Sequence, residues 1–134
     1  MTLFELCLSV GIILTGAFFA APPLIQARNN YQLDQVARQV GHNTQWTRVK
    51  AISRSRDCRV RVISNTSYVI ECLDPVWLTD QTITLPSGFQ ISANASPDFH
   101  KRGNAAPAAT LTIWDSHGKS KQVVINITGR VRVQ

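Results

Sequence analysis

The chain opens with MTLFELCLSVGIILTGAFFAAPPLIQA at residues 1–27, and this stretch decides the fold. Its only charged side chain is Glu5, because no residue from Leu6 to Ala27 carries a charge. A helix rises about 1.5 Å per residue, so the run is long enough to cross a hydrocarbon core of roughly 30 Å. A carboxylate near the end of a membrane helix is costly unless it is paired, which makes Glu5 a candidate functional residue.

Two ordinary kinds of N-terminal segment fit this pattern less well. A secretory signal peptide begins with Lys or Arg and ends at a cleavage site of small residues. Here the basic end is missing and an acid stands at position 5. An ordinary signal anchor is the other alternative, but it leaves Glu5 without a role. We therefore predict a membrane-spanning or filament-core helix at 1–27.

The rest of the 134 residues is enough for one small soluble domain, predicted at 28–134. Hydrophobic residues make up 44% of the chain and charged residues 16%, which argues against disorder. The 14 Lys and Arg exceed the 8 Asp and Glu, so the net charge is +6. A basic surface favours polyanions such as nucleic acid, lipopolysaccharide or anionic lipid, although a solvated surface with no partner has the same composition.

Cys58 and Cys72 flank a predicted β-hairpin. Two runs of β-branched and aromatic residues lie between them, around a polar turn. A hairpin folded about Asn65 places Cys58 opposite Cys72, within disulfide reach. In an exported domain the pair would oxidise, and the closed loop would contribute roughly 3 kcal/mol. A metal site is the alternative, but no Cys or His lies nearby at ligand spacing. Cys7, in the apolar segment, is predicted to be a small buried hydrophobic residue.

The apolar pattern predicts an α+β fold. Beyond Pro22-Pro23, hydrophobic residues recur every three or four positions, so the first helix should continue as an amphipathic helix at 28–53. From 57 to 134 the pattern alternates with period two, which indicates an antiparallel β-sheet domain packed on the second half of the helix. Residues 93–108 are predicted to form a long exposed loop. The predicted strands are 58–63, 68–73, 82–85, 89–93, 110–114, 122–127 and 130–133.

Phe4-Glu5-Leu6, an apolar run through Ala20 and then Pro22 are the distinctive features of the N-terminus. They resemble the N-terminus of the mature type IV pilin and type II secretion pseudopilin superfamily. Met1 stands where that superfamily usually has Phe, and Phe4 stands where it usually has Ile. The resemblance implies that Met1 is the first residue left by the prepilin peptidase and is N-methylated. If Met1 is instead the initiator, this processing does not apply.

The resemblance also implies a location and a set of partners. The chain would be a single-pass inner-membrane protein with a periplasmic domain, which assembles with other pilin or pseudopilin subunits into a pilus at the cell surface. In the filament Glu5 would meet the N-terminal amine of a neighbouring subunit. Both charges are unpaired in the membrane, so their pairing removes from each subunit the free-energy cost of an unpaired charge in lipid.

Two further places resemble the GspH/FimT group of minor pilins and pseudopilins. Arg48, Ala51 and Ile52 match parts of an Arg-Ser-Glu-Ala-Ile stretch at the end of the helix. The C-terminal half, predicted to contain only strands and to end in Gly129-Arg130, is also similar to that group. The match covers the whole chain, but only the first two dozen residues are specific.

The C-terminal strand carries the candidate DNA-binding residues. Gly129, Arg130 and Arg132 fill a Gly-Arg-x-Arg pattern that resembles the DNA-binding tail of FimT-type minor pilins used in natural transformation. On a strand, alternate residues share a face, so the two arginines should project together while Val131 and Val133 face the core. Arginine forks suit phosphate. The alternative interpretation is an edge strand whose charged side chains prevent edge-to-edge aggregation. The full predicted DNA-binding set is Arg130, Arg132, Lys119, Lys121, Lys101 and Arg102.

The sequence contains no pattern typical of an enzyme. Paired carboxylates, a phosphate loop, a GxSxG turn and zinc-ligand spacing are all missing. We therefore expect no catalytic activity, cofactor or metal. The preferred hypothesis is a minor type IV pilin that binds double-stranded DNA for uptake. The alternatives are a GspH-like minor pseudopilin of type II secretion, acting as a structural part of the filament tip, and a pilin for adhesion.

Overall fold

The computed structural model describes residues 2–134, and of Ala20 it describes only the backbone. The predicted processing of Met1 therefore lies outside the described residues. A single helix, α1, spans Leu3–Arg54 and continues through Pro22 and Pro23 as expected. The predicted end at residue 53 differs by one position.

The helix begins with a reciprocal pair of hydrogen bonds. The Thr2 backbone N–H donates to Glu5 Oε2 at 2.9 Å, and the Glu5 backbone N–H donates to Thr2 Oγ1 at 3.4 Å. This arrangement is a capping box, which satisfies two of the N–H groups that the first turn leaves open. Glu5 thus has a local role as a cap besides the assembly role that the sequence suggests.

The chain divides into two compact units, one ending at Gln32 and the other comprising Leu33–Gln134. In the first unit the large apolar side chains are exposed, including Phe4, Ile13 and Phe18. Among the described residues, α1 is the one helix that is long and apolar enough to cross a membrane. Such a surface suits a single-pass anchor, because an apolar helix exposed all round requires lipid or protein cover. The predicted boundary between residues 27 and 28 stays a prediction.

In the described residues, nine strands follow α1. They are β1 (Cys58–Ser64), β2 (Ser67–Leu73), β3 (Trp77–Thr84), β4 (Gln90–Ala93), β5 (Asp98–Phe99), β6 (Ala105–Ala106), β7 (Ala109–Trp114), β8 (Ser120–Ile125) and β9 (Val131–Val133). They form a five-stranded sheet in the order β3-β2-β1-β5-β6 and a four-stranded sheet in the order β4-β7-β8-β9. All strand pairs are antiparallel, so the predicted α+β fold class is confirmed.

The second half of α1 and both sheets share one hydrophobic core. Leu33, Ala37 and Val40 of the helix are buried with Tyr68 of the first sheet and Leu111 of the second. Two threonines of the same helical stripe, at positions 44 and 47, are also buried. Their hydroxyls donate to the carbonyls four residues back, at 2.8 Å each, so no hydroxyl is left unsatisfied there.

The hairpin prediction is confirmed in its register. Cys58 pairs with Cys72 across β1 and β2, and the two sulfurs form a disulfide. Cys7 is a free cysteine and is exposed, so the expectation that it is buried is corrected: its apolar neighbours Leu6 and Leu8 are exposed as well.

Two sequence predictions need correction. Residues 93–108 are not one exposed loop, because they contain β5 and β6, and Phe99 is completely buried. Phe99 pairs with Cys58 of β1, a long-range partner that local composition does not reveal. The strand predicted at 82–85 begins earlier, at Trp77. As an exposed edge strand with a bulge at Asp80, β3 lacks the apolar alternation that marks half-buried strands.

Candidate nucleic-acid interface

Five basic residues near the end of α1 and in β1 form ion pairs with three acids. Glu71 of β2 accepts hydrogen bonds from Arg59 Nε at 2.6 Å and from Arg61 at 2.7 Å. Arg59 also lies over the Trp77 ring, 4.1 Å from its centre. The remaining pairs are Lys50 and Arg54 with Asp80, and Arg56 with Asp74. These pairs join β1 to β2 and the β2–β3 region to the helix end, and the three acids offset three of the five positive charges.

Glu71 is the most buried of these acids, with only 3% of its surface exposed. Burial alone would favour its protonated form, but the hydrogen bonds from Arg61 and Arg59 outweigh it and hold the pKa of Glu71 below its ordinary value. The carboxylate is therefore a stabilising element whose contribution depends on pH.

Replacing Glu71 by Gln tests this contribution. A carboxyl whose pKa is lowered by folding stabilises the fold above its unfolded pKa, and this stabilisation is lost as pH falls through the folded pKa. We expect Glu71→Gln to lower the free energy of unfolding by about 1–2 kcal/mol at pH 7, because both arginine partners are partly exposed. The difference from the parent should shrink below the ordinary glutamate value of 4.5. Thermal unfolding of residues 28–134 from pH 3 to 7 measures it, and a gap that persists at pH 3 would argue against this account.

Four other cations have no such partner. In the described part of the chain, no ion pair or side-chain hydrogen bond is found for Lys101, Arg102, Arg130 or Arg132. All four side chains are exposed. All four were predicted as DNA-binding residues. Each of the four is therefore a positive charge that no acid of the described residues offsets.

Two tight turns bring three of these cations to the same end of the domain. Lys101 and Arg102 occupy the turn at 100–104, and Arg130 closes the turn at 126–130. The Ala105 N–H donates to the Ile127 carbonyl at 2.9 Å, which ties the two turns together. We call Lys101, Arg102 and Arg130, with the neighbouring Arg48, the basic end.

Arg48 of α1 connects the helix to these turns. Its Nε donates to the Gly103 carbonyl at 2.7 Å. A Cβ placed on Gly129 would lie far inside van der Waals contact of the same carbonyl oxygen and 2.8 Å from Arg48 Nε. Gly129 also has φ of +77°, a conformation that other residues rarely adopt. The glycine of the Gly-Arg-x-Arg pattern is therefore needed for close packing of the two turns.

Arg130 also lines a cleft between α1 and the C-terminal strand. The cleft has a volume of 420 Å³. Its lining residues are Arg38, Gly41, His42, Gln45, Arg48, Arg130, Val131 and Val133. The lining contains three guanidinium groups and no carboxylate.

The two arginines of the pattern do not line the same cleft. The strand begins only at Val131, and Arg130 lines the cleft together with Val131 and Val133. Arg132 pairs with Val124, and alternation along β9 places it on the opposite face from those valines. Of the two arginines, Arg130 lines the cleft and Arg132 does not, so the structure does not bring both to this cleft as the sequence pattern suggested. Val131 packs against the core as expected.

The predicted lysines lie elsewhere. Lys121 on β8 forms an ion pair with Asp34 at 3.3 Å, and Asp34 also binds Arg38 at 2.7 Å. The hydrogen bond from Arg38, with a smaller one from Lys121, outweighs desolvation and lowers the pKa of Asp34. Lys119 lies in the turn between β7 and β8, at the far end of the sheet from Arg130. The structure therefore does not crowd all four cations of the C-terminal hairpin at one edge.

Comparison with known proteins gives no match at the level of sequence families. No protein-family model matches the chain, and a search of curated proteins finds no match. Solved structures do match. The minor pseudopilin EpsH from the type 2 secretion system of Vibrio cholerae gives a TM-score of 0.66 at 17% identity, covering 77% of this chain and 96% of that chain. The type IV minor pilin FimU of Pseudomonas aeruginosa gives a TM-score of 0.65 at 17% identity, covering 82% and 92% respectively.

The fold is pilin-like. Both neighbours carry names of pilus-type subunits, and at this identity the likeness establishes the architecture alone. Within residues 2–134, no three His, Cys, Asp or Glu side chains come together as a metal site would require.

In this pilin-like domain, sequence reasoning missed the contribution of Arg48. The sequence singled out Arg48 only for its match to the helix end of the GspH/FimT group, whereas its side chain reaches the turn at 100–104. The available signal was indirect. Gly103 and Gly129 each lie among polar residues, as turn glycines often do, but nothing in the sequence shows that the two turns touch.

Proposed function

We infer that this chain is a minor type IV pilin that binds extracellular double-stranded DNA non-specifically, for uptake in natural transformation. The supporting observation is the cluster of unpaired cations on two adjoining turns of a pilin-like domain. Three acids pair with five of the basic residues near the helix end and in β1, whereas no acid of the described residues pairs with this cluster. Its side chains are those that bind phosphate, which suits contacts to the DNA backbone that do not depend on sequence.

The rest of the proposal concerns assembly. Residues 1–27 anchor the chain in the inner membrane until it joins other pilin subunits, and the prepilin peptidase leaves Met1 as the mature N-terminus. Residues 28–134 form the periplasmic head, which becomes exposed on the pilus. The chain acts by binding and not by catalysis, and it needs no cofactor.

A second function is carried by the likeness to EpsH, which is as strong as the likeness to FimU. In that case the chain is a minor pseudopilin of type II secretion and a structural component of the filament tip. The two functions differ in one measurable property, because only the first requires affinity for DNA.

Fluorescence anisotropy with a labelled 24-base-pair duplex tests the proposal. The full chain in an uncharged detergent should bind with micromolar or weaker affinity, regardless of sequence, and the affinity should fall steeply with salt. Two double variants, Lys101→Gln with Arg102→Gln and Arg130→Gln with Arg132→Gln, should each weaken binding about fivefold or more. Many copies along a filament still hold DNA firmly, since multivalency raises avidity without new contacts.

The matched control is the double variant Arg54→Gln with Arg56→Gln. It removes the same two charges, but both side chains are paired with acids near the helix end. We expect less than a twofold effect on DNA affinity. If the control weakens binding as much as the other pairs, general charge explains the affinity and the site is misplaced. If no binding occurs at low salt, the secretion pseudopilin is the better assignment.

A further inference from the structure

The cleft between α1 and the C-terminal strand is built like an anion site. Arg38, His42, Gln45 and Arg48 come from successive turns of the helix, and Arg130 faces them from the turn before β9. The bottom is apolar, since Gly41 lies so close to Val133 that a Cβ on it would come within 2.9 Å of Val133 Cγ2. The cleft therefore offers several N–H donors above an apolar surface.

Two of its arginines are already held in place by their Nε atoms. Arg48 Nε donates to the Gly103 carbonyl at 2.7 Å, and Arg38 Nε donates to Asp34 at 2.7 Å. In each case the described hydrogen bond uses the Nε edge and leaves terminal N–H groups for a ligand. A guanidinium fixed in this way loses less side-chain entropy when it binds. Arg130 adds a charge that no acid within residues 2–134 neutralises.

We propose that this cleft seats a phosphodiester of the bound DNA between Arg48 and Arg130. The inference rests on the proposed function and adds the helix face to the site. Planar forks with parallel N–H groups suit the tetrahedral oxygens of a phosphate, and the lining contains no acid that would repel it. Lys101 and Arg102 on the adjoining turn then meet the next phosphates along the strand. The proposed site therefore combines residues of α1 with residues of the two turns, and the Gly-Arg-x-Arg pattern supplies only one part of it.

This arrangement makes the two arginines of the C-terminal pattern unequal. Arg130 lines the cleft and Arg132 does not. Single Arg130→Gln should therefore weaken binding of the 24-base-pair duplex by about fivefold, and Arg132→Gln by less than twofold. Equal effects of the two changes would contradict the cleft as the site.

A charge placed in the cleft gives a second test that leaves every arginine intact. Gln45→Glu puts a carboxylate among Arg38, Arg48 and Arg130, and should weaken duplex binding by about tenfold at low salt. The matched control is Gln39→Glu, which makes the same substitution at an exposed position of the same helix outside the cleft. We expect less than a twofold effect from it. Similar effects of both variants would show that only net charge matters.

Titration with inorganic phosphate separates this inference from the proposed function. In nuclear magnetic resonance spectra of the full chain in an uncharged detergent, phosphate should shift the amide signals of Gly41 and Gly129, and Gln45→Glu should abolish the shifts. DNA binding without sensitivity to Gln45→Glu would overturn the cleft and leave the proposed function intact. Phosphate shifts without DNA binding would overturn the proposed function, while the anion site itself would stand.

Discussion

Glu5→Gln is expected to keep the chain in the membrane but to reduce its incorporation into filaments by about tenfold or more. The carboxylate is proposed to pair with the N-terminal amine of a neighbouring subunit, and the amide cannot provide that charge. In the isolated chain Glu5 also accepts the Thr2 N–H in the capping box, at 2.9 Å. A glutamine side chain can take over that local role, so this substitution separates charge pairing from capping.

Thr2→Ala is the complementary control, because it removes the hydroxyl of the capping box and leaves the acid of Glu5 in place. It should incorporate normally, while Glu5→Ala should fail as Glu5→Gln does. The measurement is the ratio of this chain in sheared filament fractions to that in the membrane. Normal incorporation of Glu5→Gln would show that the charge of Glu5 is not needed for assembly. If Thr2→Ala were incorporated poorly while Glu5→Gln was incorporated normally, assembly would depend on the helix cap instead.

Gly129→Ala is expected to lower the free energy of unfolding by about 3 kcal/mol. The added Cβ meets the Gly103 carbonyl and Arg48 Nε, and the φ of +77° is unfavourable for alanine. Relief of the clash separates the turns at 100–104 and 126–130, so DNA affinity should also fall. Urea unfolding of residues 28–134, which contain the whole buried core cluster, measures the change in stability.

Gly118→Ala is the matched control for this prediction. Gly118 has φ of +80° in the turn between β7 and β8, but a Cβ there meets nothing within 4 Å. Its loss should be about 1 kcal/mol, the backbone cost alone, with DNA affinity unchanged. If the two variants are equally destabilised, the close approach of Gly129 to Gly103 does not contribute to stability.

Features that depend on neighbours along the chain were predictable from the sequence. The apolar run and the spacing of hydrophobic residues every three or four positions predicted α1 to within one residue of its end at Arg54. The hairpin register that places Cys58 opposite Cys72 followed from two β-prone runs around a polar turn. The sequence marked Gly129 as the first residue of the Gly-Arg-x-Arg pattern, and in the structure this glycine has the positive φ of a turn residue. In each case the residues that decide the feature are close in sequence.

Only the tertiary structure decided which positive charges remain available. Arg56 is neutralised by Asp74, 18 positions away, and Arg48 reaches the Gly103 carbonyl, 55 positions away. Composition counts charges but does not say how far apart they lie, so it could not separate the paired arginines of the helix end from the unpaired cations of the basic end. The burial of Phe99 and the cleft beside Arg130 could not be predicted from the sequence for the same reason. Electrostatic and packing energies depend on distances in space, and those distances are set only when the helix and both sheets close around one core.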